Sequence, residues 1–290
     1  MEFGKPPADF PVEAGLVQRL VASQFPQYSG LALQEVESGW DNSMFRLGKD
    51  LAVRLPRRED SLACTQAEIE WLPLLAKQLP LPTPAPLHFG QPDRDFPHPW
   101  TIVPWLPGKP ADLFPPAASE PAALARFFEA LHKPAPANAP VNPYRGVPLP
   151  DMDRRRQSSG DPIEPHLTRH QIEQWNLSLE EDCPGSALWI HGDLHPMNAL
   201  TEGGRIAAIL DWGDLTSGDP ACDLARFYMF FQDPDAIWAA TRDPGVVRRA
   251  QGWALHFGVT HLRHGEHGQP RHGEIGKQTL ETLERASLMR

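Results

Sequence analysis

Trp189-Ile-His-Gly-Asp-Leu-His-Pro-Met-Asn-Ala-Leu-Thr-Glu-Gly-Gly-Arg-Ile-Ala-Ala-Ile-Leu-Asp-Trp-Gly-Asp214 is the stretch on which the reading of this chain turns. The apolar run ending at Ile190 predicts a short strand that delivers the chain to His191-Gly-Asp193. A loop containing Pro196 follows, Asn198 is expected to open a second strand, and Glu202-Gly-Gly204 turns the chain. Residues 206–210 then run back to Asp211. In such a hairpin Asn198 lies opposite Ala208 or Ile209. Strands advance about 3.3 Å per residue and neighbours lie about 4.8 Å apart, so Asn198 and Asp211 are expected at one end of the ladder, within roughly 10 Å.

Three oxygen-bearing side chains are thereby drawn to one edge. Magnesium takes a few carboxylate or amide oxygens and completes its shell with water and phosphate. Asn198 and Asp211 are the right type and number for that. Asp193 is left to accept the proton, or orient the hydroxyl, of an attacking alcohol.

The spacing Asp193-x4-Asn198, followed by Asp211, matches the kinase catalytic loop and its metal-binding aspartate. The stretch resembles the aminoglycoside phosphotransferase family, whose fold is related to those of protein kinases and choline kinases. The pattern His-Gly-Asp-x-His-x-x-Asn is complete as His191, Gly192, Asp193, His195 and Asn198, and Ile209-Leu-Asp-Trp-Gly213, Gly218-Asp-Pro220 and Asp223-Leu-Ala225 continue it. The resemblance implies Asp193 as catalytic base and Asn198 and Asp211 as ligands of Mg2+, with ATP or GTP as co-substrate. It extends over roughly residues 31–262.

Working outward, the front of the chain is strand-rich. Val12, Leu16, Val17, Leu20 and Val21 predict an amphipathic helix over 12–25. Short apolar runs at 31–36, 43–47 and 51–55 predict three antiparallel strands, and those at 87–89 and 100–106 two more. Between them 61–79 has helical spacing, with a kink or short break expected at Pro73. By the resemblance, Gly39–Gly48 is the strand–turn–strand over the nucleotide, without the Gly-x-Gly-x-x-Gly of protein kinases. Arg54 stands where kinases carry the phosphate-contacting Lys, Glu68 is its partner on the next helix, and Glu70 is the rival for that place. Residues 100–106 resemble the hinge whose backbone meets the adenine. Val103 and Trp105, which flank the donorless Pro104, are its candidates.

After residue 106 the pattern turns mainly helical, with an irregular proline-rich stretch over 134–150. The expected fold class is α+β: a two-lobed protein-kinase-like fold with a small antiparallel-sheet N-lobe (1–105, nucleotide-binding) and a larger, mainly helical C-lobe (106–290, catalytic and acceptor-binding). The 33 prolines among 290 residues cluster at 80–86, 104–121 and 134–150, which therefore read as connectors. Asp219 and Asp223 are expected to tie backbone at a helix start, and Arg154-Arg-Arg156 to line a solvated helix face.

A formal net charge of −10 argues against nucleic acid as a partner and suits a small hydroxylated acceptor, cationic ones included. No apolar run reaches the roughly 18 residues a membrane helix needs. Met1-Glu-Phe-Gly-Lys-Pro-Pro7 lacks the pattern of a secretory signal, and Cys64, Cys183 and Cys222 show neither a disulfide framework nor metal-ligand spacing, so a cytoplasmic location is expected. The expected function is transfer of the γ-phosphate of ATP or GTP to a hydroxyl of an aminoglycoside-like or other small acceptor. Two other functions are open to these residues. One is a metal-dependent hydrolase built on His191, Asp193 and His195. The other is a nucleotide-binding pseudokinase module. The sequence leaves the oligomeric state open.

Overall fold

The computed structural model describes residues 6–36, 39–183 and 187–287. Met1–Lys5, within the stretch read above for a signal, lies outside these. The chain divides into two units: one runs to Pro107 and takes in Leu210–Gly213, and the other holds Gly108–Ile209 and the residues from Asp214 on.

In the first unit α1 (Ala14–Gln24) precedes a five-stranded antiparallel sheet of β1 (Leu33–Glu35), β2 (Asn42–Leu47), β3 (Leu51–Pro56), β4 (His88–Gly90) and β5 (Trp100–Pro104). The spatial order is β1-β2-β3-β5-β4, so β3 is central and buried beyond its first residue. Because side chains alternate along a strand, Phe45 and Leu47 of β2 and Val53 and Leu55 of β3 share one face. That face packs with Val17, Leu20 and Val21 of α1, together with Trp100 and Ile102. The 3-4 spacing on α1 is what brings its three residues to one stripe. Arg54 takes the other face, where it meets α2 (Leu62–Leu75). That helix runs through Pro73 and ends two residues later. The proline lies within the last turn, and the helix is not broken before it.

The second unit opens with β6 (Lys109–Pro110), α3 (Pro121–Leu131), α4 (Leu149–Ser158) and α5 (Arg169–Leu179). The last is started by a capping box between Thr168 and Gln171. Then come β7 (Leu188–Ile190), β8 (Ala199–Glu202), β9 (Arg205–Ile209), β10 (Thr216–Gly218), α6 (Ala221–Leu224) and α7 (Phe227–Phe230). Two long helices, α8 (Pro244–Glu266) and α9 (Pro270–Arg285), close the unit. Strands β6, β8 and β9 form one small sheet, and β7 pairs with β10 in another. Gly203 and Gly204 turn the β8–β9 hairpin with φ of 57° and 79°, the doubly left-handed turn that matches strand twist and that glycine enters without strain.

The hairpin forms as the sequence predicts, with one shift. Asn198 closes a 3-10 turn over Pro196–Asn198, and β8 opens at Ala199, opposite Ile209. A register irregularity between Leu200 and Thr201 moves the pairing from the simple count. The expected irregular stretch also ends sooner, at α4, whose Arg156 is fully buried, while Arg154 and Arg155 stay exposed. Arg156 points inward because the carbonyl and carboxylate of Asp161 and the hydroxyl of Thr260 receive its guanidinium.

Candidate functional site

In the first unit, strand alternation presents Arg54 from the middle of β3, between Met44 and Thr101, to α2. Glu68 receives it with both oxygens, at 2.5 and 3.0 Å, and both side chains are almost wholly buried. This planar two-point match is what a guanidinium offers and an ammonium does not. Burial works against the Arg54 charge. Glu68, with Asp211 and Asp41 behind it, outweighs that and holds the pKa above its ordinary value.

Asp211 has φ 53°, left-handed backbone that Asp and Asn enter most readily among residues with a side chain. A Cβ on Gly213 would stand 3.5 Å from Asp211 Oδ1 and 3.8 Å from Asp41 Oδ2, so two carboxylates flank that glycine. Asp41 was not singled out by sequence reading. It accepts hydrogen bonds from Arg58 (3.0 Å) and Ser61 (2.9 Å), and its place in the Gly39–Gly48 segment was its one signal. At the other end of the sheet, Val103 pairs with Ala52, and the Trp105 N–H donates to the Asp50 carbonyl at 2.8 Å. That amide is therefore taken up by the fold. Trp105 presents its ring instead, with Arg46 stacked at 4.7 Å from its centroid.

In the second unit the β7–β8 loop carries Asp193 and Asn198. Asp223, wholly buried, accepts from the backbone N–H of His191 (2.8 Å) and of Gly192 (2.9 Å), and meets His132 Nε2 at 3.1 Å. It thus braces the β7–β8 loop, where sequence reading had it tying backbone at a helix start. Asp219 does bond the first turn of α6, through Ala221 N at 3.1 Å, and is also paired with Arg249 at 2.7 Å. His191 is fully buried, and its Nδ1 accepts from Asp193 N at 3.3 Å. Arg226, also fully buried, donates to the Gly192 carbonyl at 2.6 Å and lies over the Phe257 ring at 3.6 Å.

The Asp193 carboxylate is half-buried. Its Oδ1 receives Arg145 Nη2 at 3.2 Å and lies 3.9 Å from Arg226 Nη2, while His195 Nε2 stands 3.7 Å from Oδ2. Burial favours the neutral acid. Arg145 first, then His195 and Arg226, overcome this and hold Asp193 below the usual carboxylate range. His195 is pushed down to about 3 by burial, and its ring packs edge-on against His261 and His272. His272 is lowered to about 4, again first by burial, and His261 well below its ordinary value. All three imidazoles are neutral at neutral pH.

Asn198 donates from its amide nitrogen to the Asp193 carbonyl at 3.0 Å, a bond that does not use its amide oxygen. An amide oxygen from Asn198 and a carboxylate from Asp211 are the hard donors magnesium takes, with room in its shell for water and phosphate, so these residues fit that ion. Among the described residues no three His, Cys, Asp or Glu side chains are grouped to hold a metal ion. Sequence reading missed Arg145, Asp214 and Arg226. Arg145 lies in the proline-rich connector, where nothing local marks it as chemical.

The family model of the phosphotransferase enzyme family matches residues 32–254. Hygromycin-B 4-O-kinase of Escherichia coli is 36% identical over 50 residues, which are 17% of this chain and 15% of that protein. The matches to curated proteins span 22% and 15% of those proteins' own lengths. The GDP complex of wild-type aminoglycoside 2'-phosphotransferase-IIIa superposes with a TM-score of 0.66, at 18% identity over 92% of this chain and 97% of that one. Macrolide 2'-phosphotransferase MphH of Brachybacterium faecium does so with a TM-score of 0.60, at 23% identity over 93% and 98%. These likenesses show the fold: α+β and protein-kinase-like, with an antiparallel sheet in the first unit and mostly helices in the second.

Proposed function

This chain belongs to the phosphotransferase enzyme family, and from that premise we propose that it transfers the γ-phosphate of ATP or GTP to a hydroxyl of a small molecule. The observation that supports this most is the Asp193 carboxylate held by Arg145, five residues before an asparagine whose amide nitrogen binds the Asp193 carbonyl.

The residues take these roles. Arg54, set by Glu68, holds nucleotide phosphate, and Val103 and Trp105 border the base, Trp105 by its ring. Asn198 and Asp211 hold magnesium, which when bound neutralises phosphate charge. Asp193 orients the acceptor hydroxyl. The acceptor oxygen bonds to the γ-phosphorus as the bond from that phosphorus to the β-phosphate oxygen breaks. The nucleoside diphosphate leaves with the electron pair, and the hydroxyl proton passes to Asp193 and then to water. An aspartate held below its usual pKa is a weak base, so its main contribution is positioning, with the proton moving late.

Residues up to about 105 are the nucleotide-binding part in this reading, and those from 106 the catalytic and acceptor-binding part. The solved relatives named above are aminoglycoside and macrolide phosphotransferases, which makes an aminoglycoside-like or other polyhydroxylated compound, cationic ones included, the acceptor class to try first. Among the described residues no helix is long and apolar enough to cross a membrane.

The test is an ADP- and GDP-release screen over hydroxylated antibiotics and small amino-alcohols, with Asp193→Ala alongside. Turnover that needs magnesium and falls about 10²–10⁴-fold in the variant, with nucleotide-dependent thermal stabilisation kept, is the expected result. Nucleotide binding without turnover in the unaltered chain would mark a pseudokinase instead.

A further inference from the structure

The geometry points to Arg145 as a positioning residue that fixes which oxygen of Asp193 is offered to the acceptor, with Asp214 and Asn142 as its support. The inference rests on the phosphotransfer reading above and deepens it.

Both guanidiniums near Asp193 address the same oxygen. Arg145 Nη2 is 3.2 Å from Oδ1 and Arg226 Nη2 is 3.9 Å from it. His195 Nε2, at 3.7 Å from Oδ2, is beyond a good hydrogen bond. With one oxygen tied and the other not tied by these cations, the carboxylate cannot spin freely, and Oδ2 is the end left to meet a hydroxyl.

Arg145 is itself fixed. Its Nε and Nη2 lie 3.1 and 2.9 Å from Asp214 Oδ2, its Nη1 donates to the Tyr144 carbonyl at 3.3 Å, and its guanidinium stands over Phe257 at 5.5 Å. Asp214 Oδ1 accepts from Asn142 Nδ2 at 2.7 Å, and Asn142 N donates to Thr216 Oγ1 at 2.8 Å. A chain of polar contacts therefore runs from β10 through Asn142, Asp214 and Arg145 to Asp193.

Asp214 balances the Arg145 charge. Arg145 can thus aim Asp193 without cancelling the negative charge the reaction uses. A guanidinium suits this because it donates in two fixed directions at once, toward Asp214 and toward Asp193, which an ammonium does with less definition. The backbone is drawn in to match. Gly192 has φ 82°, and a Cβ there would come within 2.7 Å of the Asp214 carbonyl oxygen and 3.2 Å of Arg145 Cγ.

The experiment uses the full chain with Arg145→Ala, Arg145→Lys, Asp214→Asn and Asp193→Ala, and Arg154→Ala as an exposed control. Magnesium-dependent ADP release from ATP, or GDP release from GTP, with water or an acceptor found in the screen above, gives kcat and KM. Removing a charged hydrogen bond to Asp193 is expected to lower kcat roughly 10- to 100-fold in Arg145→Ala, with KM for ATP within about twofold. Added guanidinium ion should restore part of that loss in Arg145→Ala and none in Asp193→Ala. Arg145→Lys and Asp214→Asn should fall between the unaltered chain and Arg145→Ala. A kcat within about twofold of the unaltered chain in folded Arg145→Ala overturns the inference. So does a loss that guanidinium leaves untouched and that comes with a lower Tm and weaker nucleotide binding. Should Arg145→Ala fail to fold, unchanged kcat in Arg145→Lys and Asp214→Asn overturns it equally. No ADP or GDP release by the unaltered chain with water or with any acceptor of the screen above, or full release by Asp193→Ala, overturns the phosphotransfer reading itself.

Discussion

Arg54 meets Glu68 14 residues further along the chain, on the helix that follows its strand, whereas Asp193 is surrounded by side chains from across the second unit. Arg145 lies 48 residues before it, Arg226 lies 34 beyond Gly192, and the Asp223 that braces the loop takes His132 from 91 residues away. The first charge is settled by one neighbouring pair of elements, the second by the packing of a whole unit. A local ion pair stands or falls with one partner. A loop held by many segments loses order by degrees, and its chemistry depends on residues that never touch substrate.

The largest expected effect sharpens the first half of that contrast. Glu68→Ala leaves the buried Arg54 guanidinium without its bidentate partner, which should cost about 3–5 kcal/mol in chemical denaturation and weaken nucleotide binding. A loss below about 1 kcal/mol would show that Arg54 finds other support and would break the picture of a two-residue unit.

Asp223→Asn probes the second half. One amide end would face a backbone N–H that now meets a carboxylate oxygen, leaving a buried donor unsatisfied at the start of the loop. A loss of about 1–3 kcal/mol is expected, with turnover falling further than stability alone accounts for. If turnover and stability keep their values, the loop does not depend on that brace.

Acid should act on the second unit. Burial lowers His195 to about 3 and His272 to about 4, and places His256 and His261 well below their ordinary value. The unfolded chain takes up protons on these groups from about pH 6.5 downward while the folded one does not. Their contribution is therefore intact above that pH and declines as pH falls toward about 4. The lowered pKa values of Asp193 and Asp223 add to the loss in stronger acid. A Tm that drops steeply between pH 7 and 5, with proton uptake on unfolding, is the expected readout. A flat Tm over that range would contradict it.

The smallest effect belongs to a salt bridge outside both sites. Arg154, exposed and paired with Asp151 one turn away, should change stability by no more than about 0.5 kcal/mol when replaced by Ala. A larger change would mean that distance from the packed loop is not what makes a charge dispensable here.

The sequence by itself determined the α+β class, the strands of the first sheet, the glycine turn and the membership of Asp193, Asn198 and Asp211 in one short hairpin region. These are local properties. Alternation of apolar residues, turn chemistry and a fixed spacing are written in neighbouring positions and survive whatever the rest of the chain does. Arg54 with Glu68 was legible only through the family resemblance, which put Glu68 on the helix after the Arg54 strand and left Glu70 as its rival.

Only the tertiary structure decided that Arg145 emerges from a proline-rich connector beside Asp193, and that Asp223 holds the loop backbone instead of capping a helix. It also decided that Arg156 turns inward while its two neighbours do not, and that the strand register slips at Leu200/Thr201. Each of these depends on which distant segments the packing brings together. Buried charges and loop amides take the partners that folding supplies, and no local pattern in the chain records who those partners are.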